Sequence, residues 1–223
     1  MLTIHFEDEN YPRLLKEIYD PPQQLYCLGE SKAREKFPLA VVGTRKISFY
    51  GRKTTEYLVN GLCQAGLTIV SGLALGVDGL AHQIALENGT KTIAVLGSGL
   101  DTVYPPAHKK LAKRIVDSGG ALVSEYPPKT QPSKMTFPAR NRIVAGISLG
   151  VLVIEAPMKS GALITARFAL EQGREVFAVP GSIYSENSQG CNLLIKTGAK
   201  PVTKVEDILE TFNYDDKDES HNR

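Results

Sequence analysis

Tryptophan is absent, and cysteine, histidine and methionine are scarce: three Cys, four His and three Met among 223 residues. Cys27, Cys63 and Cys191 are odd in number and far apart, which excludes a disulfide scaffold or a close-paired zinc site and fits a reducing cytosol. His5, His82, His108 and His221 are equally scattered, so no metal centre is expected. No apolar run approaches the roughly 20 residues that cross a bilayer. Residues 1–10 carry acids where a secretory leader would have basic and then apolar residues. A cytoplasmic protein without membrane contact is the expectation. Two nucleotide motifs are missing as well. Gly97-Ser98-Gly99 lacks the third Gly of G-x-G-x-x-G, and no acid ends the second core strand to take a ribose, which disfavours NAD. Gly51-Arg52-Lys53-Thr54 has Arg where a phosphate loop has its Gly-Lys step, so ATP hydrolysis is unsupported and no cofactor is expected.

What is present is a folding composition, 42% hydrophobic and 22% charged, long enough for one large α/β domain. Short β-branched runs, LAVVG, TIVSG, TIAVLG, ALVSEY, GVLVIEA and EVFAVPG, alternate with helical segments such as GRKTTEYLVNGLCQAG, VDGLAHQIALENG, HKKLAKRIVDSGG and ALITARFALEQGR. Six strands separated by helices predict a Rossmann-like, doubly wound, mostly parallel sheet with helices on both faces. Gly66, Gly89, Gly119 and Gly173 stand where these helices should stop. Residues 1–37 show no sustained period and read as an N-terminal lead-in packed on the core. Residues 38–212 form the Rossmann-like domain, and 213–223 an acidic tail.

The net charge of +2 hides an uneven distribution. Residues 205–223 hold seven acids against two bases, which leaves +7 on the rest. Residues 126–154 hold Lys129, Lys134, Arg140 and Arg142 with no acid; residues 36–55 hold Lys36, Arg45, Lys46, Arg52 and Lys53 with none. Such stretches can form a basic patch. In an open α/β sheet, ligands bind where strands end and helices begin. The first core strand ends in Gly43-Thr44-Arg45, where Arg can fork two hydrogen bonds onto a phosphate. The second ends in the small-residue loop Ser71-Gly72-Leu73-Ala74-Leu75-Gly76, followed by Asp78 and His82 on one helix face, a pair that reads as structural. Lys134 and Phe137 stand three apart ahead of Arg140 and Asn141: a ring to stack a base among cations to hold phosphates, or a staple ahead of a helix beginning near Pro138. Ser160-Gly161 offers a hydroxyl and N–H groups to an anion, or an ordinary N-cap. Glu155 stands alone where acid–base work needs a partner.

Taken together, Gly43-Thr44-Arg45, the run from Ser71 to His82, Phe137-Pro138-Ala139-Arg140-Asn141-Arg142 with Ile143 to Gly146, and Lys159-Ser160-Gly161-Ala162-Leu163-Ile164-Thr165 resemble the DprA/Smf family. The resemblance extends to Tyr11-Pro12-Arg13-Leu14-Leu15, Asp20-Pro21-Pro22, Val179-Pro180-Gly181-Ser182 and Gly190-Cys191-Asn192, nearly the whole chain. It implies a non-enzymatic homodimer that coats incoming single-stranded DNA in natural transformation, shields it from nucleases and loads the RecA recombinase. It also implies a DNA-binding set of Gly43, Arg45, Ser71, Gly72, Lys134, Phe137, Arg140, Asn141, Ser160 and Gly161. Many members carry a helical module before this domain and a winged-helix-like module after it; this sequence begins at the lead-in and ends soon after Phe212, as a short form or a truncated chain. The rival reading is a nucleotide phosphoribohydrolase of the lysine-decarboxylase-like group, whose Pro-Gly-Gly-x-Gly-Thr loop is replaced here by Ala156-Pro157-Met158-Lys159-Ser160-Gly161-Ala162. A regulator of duplex DNA would need a helix-turn-helix, and none is recognisable.

Overall fold

The computed structural model describes residues 1–30 and 37–212. All six anticipated strands form: β3 (Pro38–Val42), β4 (Thr68–Ser71), β5 (Thr92–Val95), β6 (Ala121–Ser124), β7 (Gly150–Val153) and β8 (Glu175–Ala178). They pair in parallel in the order β6-β5-β4-β3-β7-β8. Their near-continuous apolar runs follow from burial on both faces. In β3, Ala40 and Val42 face one core while Leu39 and Val41 face the other.

The first core is closed by α5 (Thr136–Gly146), α6 (Gly161–Glu171) and the lead-in helix α1 (Arg13–Lys16), through Ile143, Val144, Ala162, Ala166 and Leu15. The second is closed by α2 (Phe49–Gln64) and α3 (Val77–Glu87), through Leu58, Leu62, Val77 and Ile84. On the same side α4 (Lys109–Asp117) covers β5 and β6 through Leu111, Ala112 and Ile115. The four helix-stop glycines, Gly66, Gly89, Gly119 and Gly173, all have positive φ, the conformation that ends a helix at least cost for a residue without Cβ.

The lead-in is more than a packed appendage. Residues of β1 (Leu2–His5) and β2 (Gln24–Gly29) extend the same sheet, β2 lying antiparallel on β6 with Tyr26 opposite Ser124. The signal lies in the alternation of Leu25 and Cys27 toward one core with Tyr26 and Leu28 toward the α4 side, but QLYCLG has no β-branched run to make it stand out. Tyr11 donates its hydroxyl to Pro22 O (2.7 Å), cross-linking the connection between β1 and β2. Toward the other edge α7 (Gln189–Lys196), the short strand β9 (Lys200–Pro201) beside β8, and α8 (Glu206–Leu209) complete the described fold. The acidic tail, 213–223, and Lys36 lie outside the described residues.

Candidate nucleic-acid interface

Chain order along the sheet reverses at β3, which has β4 on one side and β7 on the other. The loops after these two central strands therefore part at their carboxyl ends, and a crevice opens there. It is a cleft of about 430 Å³ lined by Gly43, Thr44, Arg45, Gly72, Asp78, Arg140, Asn141, Lys159, Ser160 and Gly161. Seven of the ten anticipated site residues meet in it: Gly43, Arg45, Gly72, Arg140, Asn141, Ser160 and Gly161.

Each wall has its own reason for shape. Thr44 is held under the β7 exit by donating its N–H to Glu155 O (2.7 Å), while Thr44 O accepts from Val77 N (3.2 Å), so β3, β7 and α3 are laced at one point. A Cβ on Gly43 would sit 2.5 Å from Val77 Cγ2, and one on Gly72 would sit 2.5–2.6 Å from the Arg140 guanidinium. These glycines are required by close packing. Between Gly72 and α3, Leu73 takes φ +58 while fully buried, a conformation an L side chain rarely adopts. Its carbonyl accepts from His108 Nδ1 (2.8 Å). Ser160 caps α6 by accepting from Ala162 N (3.2 Å) and leaves its hydroxyl at the cleft wall.

The cations divide sharply. Arg140, grouped with the phosphate ligands from the sequence, is only 5% exposed: Nη1 donates to Gly72 O (2.6 Å) and to Val95 O, and Nε to Asn141 Oδ1 (3.1 Å). It is the floor of the cleft and holds the β4 and β5 exits together. Burial lowers its pKa to about 10, with Asp78 opposing the shift and Arg45 adding to it. Asp78 is pushed upward by burial, against the pull of Arg140 and the Gly72 N–H, which donates to its Oδ2 (3.1 Å). Ser71 is a second correction, since it is fully buried and its hydroxyl donates to Val41 O (2.6 Å), so it shapes the loop from beneath. Arg142, part of the acid-free stretch, is neutralised from elsewhere: both terminal nitrogens donate to Glu125 (2.8 and 2.6 Å), and Nε donates to Asp20. Lys134 is exposed in the turn before α5, outside the cleft lining.

Arg45 and Phe137 remain, and the fold brings them together. The Arg45 guanidinium carbon lies 5.7 Å from the centroid of the Phe137 ring, within cation–π range. Arg45 is exposed and makes no ion pair among the described residues. Phe137 lies in the first turn of α5, just after a turn closed by a reciprocal pair: Ser133 Oγ accepts from Thr136 N (3.2 Å) and Thr136 Oγ1 accepts from Ser133 N (3.0 Å). The helix starts at Thr136, two residues before the Pro138 expected from sequence. Phe137 also meets Tyr104, with ring centroids 5.4 Å apart and planes at 44°. Tyr104, 42% exposed, is the residue sequence reasoning missed. It lies in the loop after β5, 33 residues upstream of Phe137, so no local pattern announces the contact.

The rival's carboxylate is spoken for. Glu155 is 1% exposed and accepts from Ser48 N (3.0 Å) and Ser48 Oγ (2.5 Å) at the start of α2, away from the cleft lining. Asp78 and His82 do not pair with each other. Thr92 Oγ1 donates to Ile69 O (2.6 Å), so its proton is committed and His82 Nδ1–H must donate to it (2.7 Å). Burial then holds His82 neutral, at about 3. Among the described residues no group of His, Cys, Asp and Glu could hold a metal ion, and no helix is long and apolar enough to cross a membrane.

A doubly wound sheet with a polar cleft at its switch point, floored by a buried Arg and bordered by exposed Arg45 and Tyr104 with half-buried Phe137 in contact with both, defines an α/β protein suited to binding an anion beside an aromatic group. Residues 2–213 match the model of the DNA recombination-mediator protein A family, and the chain belongs to that family. It is 49% identical over 208 residues to Protein Smf of Escherichia coli, covering 93% of this chain and 56% of that protein. It is 50% identical over 208 residues to DNA processing protein DprA of Streptococcus pneumoniae, covering 93% of this chain and 73% of that protein. The X-ray structure of the S. pneumoniae protein superposes with a TM-score of 0.88 at 48% identity, over 94% of this chain and 73% of that one. DNA processing protein A from Helicobacter pylori, whose structure is described for its single-stranded DNA binding mode, superposes with a TM-score of 0.85 at 33% identity, over 95% of each chain. This chain thus spans just over half the length of the E. coli relative.

Proposed function

We propose that this protein binds single-stranded DNA with low sequence selectivity at the switch-point cleft, without catalysing a reaction on it. The observation that carries the proposal is Arg45 over Phe137. A free guanidinium beside an accessible ring supplies a phosphate fork and a stacking surface in one place, the two contacts that hold single strands of any sequence. The cleft behind them adds loop N–H groups, the Ser160 hydroxyl and Lys159. Lys134, exposed in the turn before α5, adds charge to the path of the strand. The DNA-binding set is accordingly Gly43, Arg45, Gly72, Phe137, Asn141, Ser160 and Gly161 in direct reach, with Ser71 and Arg140 shaping the cleft. The single-stranded DNA binding mode described for the H. pylori relative supports the same ligand. On this reading the protein works in the cytoplasm as a homodimer that covers incoming DNA in transformation and passes it to the RecA recombinase, in line with the family to which it belongs.

The test is fluorescence polarisation of a labelled oligo-dT strand with matching duplex as competitor, across a salt series. Single strand should win, and log affinity should fall linearly with log salt as neutralised phosphates release counterions. Arg45→Ala should weaken binding about tenfold or more. Preference for duplex, or binding that ignores Arg45→Ala, would refute the assignment. Homodimer formation is read by sedimentation, and transfer to RecA by filament assembly on strands already covered by this protein.

A further inference from the structure

The Arg45–Phe137–Tyr104 cluster does not end at Tyr104. Five residues further on, α4 begins, and His108 at its start is anchored to the cleft loop through Leu73 O (2.8 Å). A Cβ on Gly79 would fall 2.4 Å from His108 Cε1, so α3 and the start of α4 are in close contact there. The orientation of α4 relative to the cleft is therefore held from two sides. Its apolar residues Leu111, Ala112 and Ile115 are buried, and at 100° per residue Lys109, Lys110, Lys113 and Arg114 fall on the opposite, exposed face. Residues 97–120 contain these four cations and two acids, Asp101 and Asp117. Asp117 pairs with Lys113 at 2.6 Å. Lys109, Lys110 and Arg114 make no ion pair among the described residues, on a helix about 13 Å long.

We propose that a single strand leaving the cleft stacks on Tyr104 beside Phe137 and then runs along the outer face of α4, where Lys109, Lys110 and Arg114 take its phosphates. Charge complementarity selects a polyanion, and continuity with an aromatic pair selects one with unpaired bases, since a duplex offers no ring faces at its side. The inference rests on the proposed cleft reading but makes a separate claim. The cleft alone should suffice for a short strand, whereas α4 is engaged only by a longer one.

The experiment compares oligo-dT of about 5 and about 15 nucleotides by fluorescence polarisation, lengths that bracket common single-strand site sizes. The proteins are the native chain, Arg45→Ala, and the triple variant Lys109→Gln, Lys110→Gln, Arg114→Gln. The three positions are exposed, and unchanged circular dichroism confirms that the fold survives. The triple variant should bind the short strand within about twofold of native, yet lose about tenfold on the long strand, with a log–log salt slope shallower by about 2. An unchanged long-strand affinity overturns the proposal, and so does an equal loss at both lengths, which would reflect overall charge. If Arg45→Ala abolishes binding at both lengths while the triple variant does nothing, the cleft stands and the α4 track falls. If Arg45→Ala does nothing while the triple variant weakens the long strand selectively, the cleft reading falls and the track survives.

Discussion

Two arginines two residues apart on α5 serve two regions of opposite character. Arg142 closes the seam between the lead-in and the core, where Glu125 and Asp20 match it and Arg174 nearby donates to Leu14 O (2.7 Å) and Glu17. Arg140 floors the switch-point cleft, where Nη1 donates to the Gly72 carbonyl just after β4 and to the Val95 carbonyl at the end of β5, and Asp78 lies close by without a direct ion pair. The seam presents little free charge. The cleft presents Arg45 at its rim because Arg140 already holds the floor. Charge counted along a sequence and charge offered to a ligand are thus different quantities, and the partners each side chain finds decide between them.

The comparison breaks most visibly at Arg140. Arg140→Ala leaves Asp78 buried beside unpaired carbonyls and should cost about 3 to 5 kcal/mol of stability, seen as a lower denaturation midpoint. A loss under about 1 kcal/mol would show that the floor is not a structural element. Arg142→Ala should cost about 2 kcal/mol, less because Glu125 retains partial access to water, and oligo-dT affinity should stay native. If affinity falls while stability holds, the seam and the cleft are not separate regions. Phe137→Ala should do the reverse, weakening oligo-dT binding by about 1 to 3 kcal/mol with little change in midpoint.

The pH dependence of stability tests burial itself, through His82, which is fully buried on α3. Its folded-state pKa of about 3 lies below the usual 6.5, so the unfolded chain takes up the proton first as the solution is acidified. Its contribution is complete above about pH 6.5 and is lost as pH falls toward 3, at up to about 1.4 kcal/mol per pH unit. His82→Gln should flatten the dependence of stability on pH between these limits by about one proton, and an unaltered slope would show that burial does not hold the ring neutral.

Much of this architecture was legible in advance. The six core strands, their helices and the helix-stop glycines follow from β-branched runs, 3.6-residue periodicity and Gly at the stops, all local signals that tertiary context had no reason to override. The edge strands β1 and β2 were not legible, because LTIH and QLYCLG lack the continuous β-branched apolar runs of the core strands and bury only one and two residues. At the candidate site, the sequence could place Gly43, Arg45 and Gly72 at the switch-point cleft because they stand where strands end in such a sheet. The buried roles of Arg140 and Ser71 were hidden, because nothing along the chain shows that their partners are the carbonyls of Gly72, Val95 and Val41.

The sequence by itself determined a doubly wound α/β core, its family and the strand ends that form the switch-point cleft, since these depend on periodicity and on motifs contiguous in the chain. Only the tertiary structure decided which cations face solvent, that Tyr104 joins Phe137 and Arg45, and that α4 continues their surface. Those facts are distances between residues far apart in sequence, set when two cores pack on opposite faces of one sheet.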